Sequence, residues 1–175
     1  MPLPILIANA LLSQVAWFGA VLAAARGLPW LGVAAIAAVA ALHLVFARTP
    51  AHELRLLLIA LVLGAVFETL LVWAGLLRFE GGAVLAGTAP VWMIALWANF
   101  ATTLNVSLRA LRGRLLVASL LGAIGAPLAY YGGQKLGAVQ ILDTGFALAT
   151  IAFGWAILTP LLFVAARRFD GYLRP

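Results

Sequence analysis

The stretch that decides the fold runs from Pro90 to Arg114 and reads PVWMIALWANFATTLNVSLRALRGR. It is apolar and long enough to cross a bilayer, yet it contains five side chains with an amide or a hydroxyl group: Asn99, Thr102, Thr103, Asn105 and Ser107. At about 100° per residue these polar groups spread over an arc of roughly 200°. A helix of this kind cannot face lipid over most of its circumference. The sequence therefore predicts a helix at about residues 90–110 in the centre of a helical bundle.

The composition around this stretch is that of a polytopic membrane protein. Of 175 residues, 66% are hydrophobic and 9% are charged, which leaves too little polar surface for a soluble domain. The chain contains no Cys, which excludes disulfides and thiolate metal sites, and no spacing of His or acidic residues indicates a metal or another cofactor. The net charge of +6 comes from basic residues at predicted helix ends, so it indicates contact with membrane lipids and not with nucleic acid.

Apolar runs separated by Gly, Pro and charged residues predict an all-α integral membrane protein with one domain, residues 1–175. We expect six transmembrane helices at about residues 3–25, 30–47, 52–77, 90–110, 115–133 and 141–167. With six crossings, eight basic residues fall on the side of the amino terminus: Arg48, Arg55, Arg109, Arg112, Arg114, Arg167, Arg168 and Arg174. Arg26, Arg78 and Lys135 fall on the other side. The positive-inside rule then predicts that both termini are cytoplasmic.

Glu68 is the most informative single residue, because it is an acidic side chain deep in the third predicted helix. A carboxylate at that depth is costly unless it is protonated, paired or facing water. We expect it to act as an acid/base or as a hydrogen-bond anchor, with a purely structural hydrogen bond as the alternative. Gly64 and Gly75 share its helical stripe, which predicts close packing or a narrow cavity along that face.

Several other residues have a structural interpretation, a functional one, or both. His43 is expected to be a satisfied interface residue and not a ligand. Gly122, Ala126, Ala129 and Gly133 form a small-residue row that predicts a packing face on the fifth helix. Asp143 either caps the sixth helix or joins a site.

The polar residues of the central helix are the expected binding groups. We predict that Glu68, Asn99 and Asp143 lie in the outer half of the membrane and converge on one polar pocket. Asn99, Thr102, Thr103 and Asn105 are candidates to orient a bound molecule, and Trp92 is a candidate apolar wall. The basic corner of Arg109, Arg112 and Arg114 is expected to anchor the topology or to bind a lipid headgroup.

Two short matches relate the halves of the chain. Leu6-Ile7-Ala8-Asn9 followed by Ser13 parallels Leu96-Trp97-Ala98-Asn99 followed by Thr103. If each begins a group of three helices, the repeat is inverted in the membrane, which is typical of transporters.

Six segments across the chain give it a specific resemblance: residues 27–32 (GLPWLG), 53–56 (ELRL), 75–79 (GLLRF), 90–97 (PVWMIALW), 100–105 (FATTLN) and 125–130 (GAPLAY). Together they resemble a family of small bacterial inner-membrane proteins known only as domain of unknown function 2878. The resemblance implies a membrane fold and a location in the bacterial inner membrane. It implies no activity and no catalytic residue.

Three functions remain open at this point, and the residues do not decide whether the protein is an enzyme. The first is a membrane protein that binds or modifies a lipid or another apolar small molecule in an intramembrane polar pocket. The second is a small proton-coupled transporter in which Glu68 changes its protonation state. The third is a non-catalytic assembly partner whose polar residues only hold the bundle together. A homo-oligomer is compatible with each of them.

Overall fold

A computed structural model describes residues 1–172, and this part of the chain folds into six α-helices, a short 3-10 turn and a two-stranded sheet. The helices are α1 (Leu3–Ala25), α2 (Pro29–Phe46), α3 (Pro50–Trp73), α4 (Val91–Leu104), α5 (Leu115–Lys135) and α6 (Thr144–Arg168). Strands β1 (Leu77–Phe79) and β2 (Val139–Ile141) pair antiparallel. Arg174, which entered the charge count, lies outside the described residues.

Five of the helices in this described part, α1, α2, α3, α5 and α6, are long and apolar enough to cross a membrane. Their outward surfaces are rich in large exposed apolar side chains, such as Val15, Val62, Leu128 and Phe153. Exposure of so many aliphatic and aromatic groups is unfavourable in water and ordinary in lipid. The protein is therefore a membrane-embedded helical bundle.

Helix α4 is the central helix, as the sequence predicted, but it is shorter than expected. Most of its side chains are buried, and it packs against α1, α2, α3 and α6. Its 14 residues rise about 21 Å, less than the roughly 30 Å of a bilayer core. It ends because the carbonyl of Thr103 accepts hydrogen bonds from the N–H groups of Val106 and Leu108, so the i to i+4 pattern stops. The predicted helical extent of 90–110 is therefore wrong at its carboxyl end, and the described chain between Leu104 and Leu115 holds one short 3-10 turn, Arg109–Leu111.

The strands explain two other differences in helix bounds. Helix α3 ends at Trp73, not near residue 77, because Gly75 at a φ of 69° lets the N–H of Leu76 return to the carbonyl of Leu71. Helix α6 begins at Thr144 instead of residue 141, because Ile141 belongs to β2. Alternation of polarity over three residues is too short to predict either strand.

The two ends of the bundle differ in structure and charge. At one end, called here the strand end, β1 and β2 lie together with the turn that precedes α2, where Pro29 approaches Gly82. At the other end, called the arginine-rich end, the turn after α2 contacts the chain after α6 through hydrogen bonds from the N–H groups of Arg48 and Thr49 to the carbonyl of Gly171.

Glycines let neighbouring helices approach closely at the points that shape the interior. A Cβ atom at Gly64 would lie 2.4 Å from Cγ of Trp97, so α3 and α4 touch along the stripe that contains Glu68. A Cβ atom at Gly122 would lie 2.3 Å from the carbonyl oxygen of Trp155, so the predicted small-residue row on α5 packs closely against α6 at this position. Gly75 lies beyond the helix, and its inclusion in the packed stripe was wrong.

The helices do not pack with the symmetry that an inverted three-plus-three repeat requires. Helix α2 packs against both α1 and α4, whereas its counterpart α5 packs chiefly against α6. The repeat-like segments do contact each other, because Asn9 bonds to the carbonyl of Thr102 and Asn99 bonds to Ser13. These hydrogen bonds hold α1 antiparallel to α4.

Candidate functional site

Glu68 lies in the interior, with none of its surface exposed. Its Oε1 atom accepts a hydrogen bond from Nε1 of Trp97 at 2.9 Å and another from the hydroxyl of Tyr130. Its Oε2 atom has no hydrogen-bond partner among residues 1–172. The carboxyl group thus ties α3 to α4 and α5, and no basic side chain of the described chain pairs with it.

Asn99 forms a separate polar contact on another face of α4. Its Nδ2 atom donates to the carbonyl of Ser13 at 2.9 Å and to the Ser13 hydroxyl at 3.3 Å. Its Oδ1 atom is buried without a partner in the described structure. The hydroxyl groups of Thr102 and Thr103 donate to carbonyls of their own helix three residues earlier, a common arrangement in membrane helices.

A cleft of about 560 Å³ lies between α1, α4 and α5. Its α1 and α5 walls do not pack extensively against each other, so the cleft opens between them at the outer surface of the bundle. Exposed residues lie along this rim, Gln14 on α1 and Leu121, Gly125 and Leu128 on α5. A volume of this size is ordinary for a small-molecule site.

Most side chains that line the cleft are apolar or aromatic. Trp97, Tyr130 and Trp155 form part of its wall, and Trp92 lies at its strand end. Glu68 does not line the cleft but lies behind Trp97 and Tyr130 and holds both by hydrogen bonds. A molecule in the cleft would therefore meet the ring of Tyr130 and not the carboxyl group.

Gln14 is a polar residue of the cleft that the sequence analysis did not select. It lies at the midpoint of α1, is exposed, and has no hydrogen bond to any described residue. An unpaired amide in the middle of a bilayer is unfavourable by a few kcal/mol. A Gln in the middle of an apolar run is visible in the sequence and could have identified it. Only the tertiary structure shows that its side chain borders a cleft.

Asp143 is not part of this site. It precedes α6 at the strand end, is exposed, and accepts a hydrogen bond from the N–H of Phe146 at 3.2 Å. This is the capping alternative that the sequence left open. The predicted convergence of Glu68, Asn99 and Asp143 does not occur, because Glu68 and Asn99 have different partners and Asp143 lies apart from both.

Asn105 belongs to a second polar cluster, at the arginine-rich end. There the buried Glu53 accepts hydrogen bonds from Nε2 of His43 at 2.9 Å, Nδ2 of Asn105 at 2.7 Å and the N–H of Gly171 at 2.6 Å. Nδ2 of Asn105 also donates to the carbonyl of Phe169 at 3.1 Å. His43 is thus a satisfied interface residue, as predicted, and Asn105 is remote from the cleft.

Two of the three predicted headgroup arginines are engaged with protein. Arg112 donates to the carboxylate of Asp170 at 2.5 Å and to the amide oxygen of Asn105, and Arg109 donates to Asp170 at 3.2 Å. Burial would raise the pKa of Asp170, but the hydrogen bond from Arg112, the N–H of Tyr172 and the two guanidinium charges hold it below its usual value. Arg114 is exposed at the same end.

Tyr172 completes this second cluster. Its hydroxyl donates to the carbonyl of His43 at 2.6 Å, and its ring packs against the imidazole. Burial, followed by the negative charge of Glu53, raises the pKa of Tyr172 well above its usual value. The hydroxyl therefore remains a donor at any physiological pH.

The described residues contain no group of three or more His, Cys, Asp or Glu side chains placed to hold a metal ion. The cleft itself is lined by no Asp, Glu, Lys, Arg or His. Its chemistry is that of an apolar chamber with a few neutral amide and hydroxyl groups.

Comparison with known proteins gives a family and nothing more specific. Residues 6–161 match the family model described as "Protein of unknown function (DUF2878)". No curated protein and no solved structure matches the chain.

Proposed function

This chain belongs to the family of proteins of unknown function DUF2878, and we propose that it binds a mostly apolar small molecule, taken from the bilayer, in the cleft between α1 and α5. The observation that carries the proposal is the cleft itself. It opens at the outer surface of the bundle, has the volume of a ligand site, and borders the exposed amide of Gln14, which has no hydrogen bond to a described residue. In a helical bundle with a purely structural role, side chains that filled this space would increase the stability of the fold.

In this proposal Glu68 positions the walls of the cleft and does not contact the ligand. Its hydrogen bonds from Trp97 and Tyr130 fix the rotamers of two aromatic side chains that face the bound molecule. Gln14 and Thr103 supply polar contacts, and Trp92 closes the strand end as an apolar wall.

The proposed setting is the bacterial inner membrane, with the arginine-rich end in the cytoplasm. Helix α4 and the chain that follows it cross the membrane together in this proposal, which brings the number of crossings to six. Arg48, Arg109, Arg112, Arg114 and Arg167 at that end support this orientation. The ligand then enters sideways from lipid, without passage through water.

Native mass spectrometry with extraction of co-purified molecules tests the proposal. Gly125→Leu is the decisive variant, because a Cβ atom there meets nothing within 4 Å and the added side chain occupies the cleft. Gly19→Leu is the matched control, since Gly19 is an exposed helical glycine with equally free surroundings that does not line the cleft.

We expect a discrete small molecule with wild type and with Gly19→Leu, and its loss with Gly125→Leu. Bulk phospholipid alone in all three proteins, in unchanged amounts, would contradict the proposal. Equal retention of a discrete molecule by both glycine variants would place its site elsewhere and would also contradict it.

A further inference from the structure

The cleft has two chemically different halves. Hydrogen bonds between α1 and α4 set the levels along the bundle: Ser13 lies beside Asn99, and Asn9 lies beside Thr102 and Ser107. The neutral polar residues of the lining fall at or between these levels or, for Gln14, one residue beyond the Ser13 level, and so lie in the half of the cleft toward the arginine-rich end. They are Ser13, Gln14, Asn99, Thr103 and Ser107.

The half toward the strand end is lined by aromatic and aliphatic groups. Trp17, Val21, Trp92 and Met93 line it, and the one hydroxyl there, that of Tyr130, is directed to Glu68. A ligand that matches both halves has a polar head and an apolar tail, with the head toward the arginine-rich end.

The shape of the cleft favours an extended tail. Lining residues on α1 run from Ala10 to Val21, and those on α5 run from Leu121 to Gly133. At 1.5 Å per residue each wall is about 17 to 18 Å long. This length suits one hydrocarbon or isoprenoid chain better than a compact ring system.

The charge of the lining restricts the head. No Lys, Arg or His lines the cleft to pair with an anionic head, and no Asp or Glu lines it to pair with a cationic one. An ion placed there would lose its hydration without a partner, which is unfavourable. An amide, carbonyl or hydroxyl head meets a matching group in the amide of Gln14, which is exposed and has no hydrogen bond to a described residue.

We propose that the ligand is an uncharged single-chain amphiphile, with a hydroxyl- or carbonyl-bearing head held by the amide of Gln14 and a tail that extends toward Trp92. This inference rests on the proposed function and specifies its ligand. The uncharged lining of the cleft does not match the anionic phosphate of a phospholipid headgroup.

The test compares binding of five probes of equal chain length to the purified full chain. A monoacylglycerol and a primary alcohol have neutral heads, a fatty acid and a lysophosphatidylglycerol have anionic heads, and an alkane has no head. We expect each neutral probe to bind at least about tenfold more tightly than the anionic probes and the alkane, since tenfold corresponds to about 1.4 kcal/mol, within reach of one or two hydrogen bonds.

Gln14→Leu isolates the role of the head. It keeps the size of the side chain and removes its amide, so we expect the preference for neutral heads over the alkane to fall at least about fivefold while alkane binding stays unchanged. Val15→Leu, an adjacent exposed position outside the lining, is the control and should change neither.

Photoreactive groups test the orientation. A diazirine at the tail end of the monoacylglycerol should label the peptide that contains Trp92 and Met93, and one beside the head should label the peptides that contain Ser13 and Asn99. Reversed labelling, or anionic probes that bind as tightly as neutral ones, would overturn the inference while leaving a cleft ligand in place. Equal binding of all probes to wild type and to Gly125→Leu would instead overturn the proposed function.

Discussion

Replacement of Glu53 by Ala should separate the carboxyl-terminal segment from the bundle. Three donors converge on this buried carboxylate: Nε2 of His43, Nδ2 of Asn105 and the N–H of Gly171. Asn105 retains the carbonyl of Phe169 as an acceptor, so two donors lose their partner outright. Each orphaned buried donor is unfavourable by about 1–3 kcal/mol, which predicts a loss of about 2–6 kcal/mol in the free energy of unfolding.

Glu53→Gln distinguishes the hydrogen bonds from the charge. The amide oxygen of Gln can still accept from Gly171 and Asn105, and its NH₂ group can donate to Nε2 of His43 in one of the neutral tautomers of the imidazole. We therefore expect this variant to lose only about 1 kcal/mol. Glu80→Ala, which removes an exposed carboxylate bonded only to Gln140 among the described contacts, should lose less than about 0.5 kcal/mol.

Far-UV circular dichroism during a titration with sodium dodecyl sulfate measures the free energy of unfolding of wild type and the three variants from the same starting detergent. Hydrogen–deuterium exchange of the folded proteins follows the described segment after α6 directly, and we expect faster exchange at residues 169–172 only in Glu53→Ala. Equal stability of Glu53→Ala and Glu80→Ala, with equal rates of exchange in this segment, would refute the assignment of Glu53 as its anchor.

Three further predictions follow from single contacts. Gly64→Ala should lower the free energy of unfolding by about 1–3 kcal/mol in the same detergent titration because its methyl group meets a tryptophan ring of α4, whereas Gly19→Ala should be neutral or stabilising; equal effects would contradict the close approach of α3 and α4. The pKa of Asp170 is lowered in the folded state, so its carboxylate stabilises the fold above about pH 4, and this stabilisation is lost as the pH falls through the folded-state pKa. Asp170→Asn should therefore have a lower free energy of unfolding than wild type at pH 7, and the two values should converge in acid. A difference in free energy of unfolding that stays constant from pH 7 to pH 3 would contradict this. The chain lacks Cys, so the single replacements Ala83→Cys at the strand end and Thr49→Cys at the arginine-rich end report the topology. A membrane-impermeant maleimide added to intact cells with a permeable outer membrane should label only Ala83→Cys. Labelling of Thr49→Cys alone would contradict the proposed orientation.

Several features of the interior follow from the sequence because they depend on composition along one helix. The polar groups of α4 occupy too wide an arc for a lipid-facing helix, and the structure places that helix in the centre. Glu68 and Gly64 lie on one stripe of α3, and both meet Trp97. Asp143 precedes an apolar run, and it caps that helix.

Other features depend on how helices rotate and slide against each other, and the sequence does not determine them. The sequence does not distinguish Tyr130 from its neighbour Tyr131, but Tyr130 bonds to Glu68 in the interior. Glu53 lies in the first turn of α3, and nothing along the chain indicates that it organises the cluster at the arginine-rich end. Tyr130 is 62 residues from Glu68 along the chain, and Gly171 is 118 residues from Glu53.

The sequence by itself determined that this chain embeds in a membrane, roughly where its helices lie, and which of its residues are too polar to face lipid. These properties follow from the transfer free energy of each segment, which is a sum over local side chains. Only the tertiary structure decided that α4 stops short, that Asn99 and Asn105 serve different clusters, and that Gln14 borders an open cleft. These depend on the register and rotation of packed helices, because a hydrogen bond or a gap exists only where two surfaces meet.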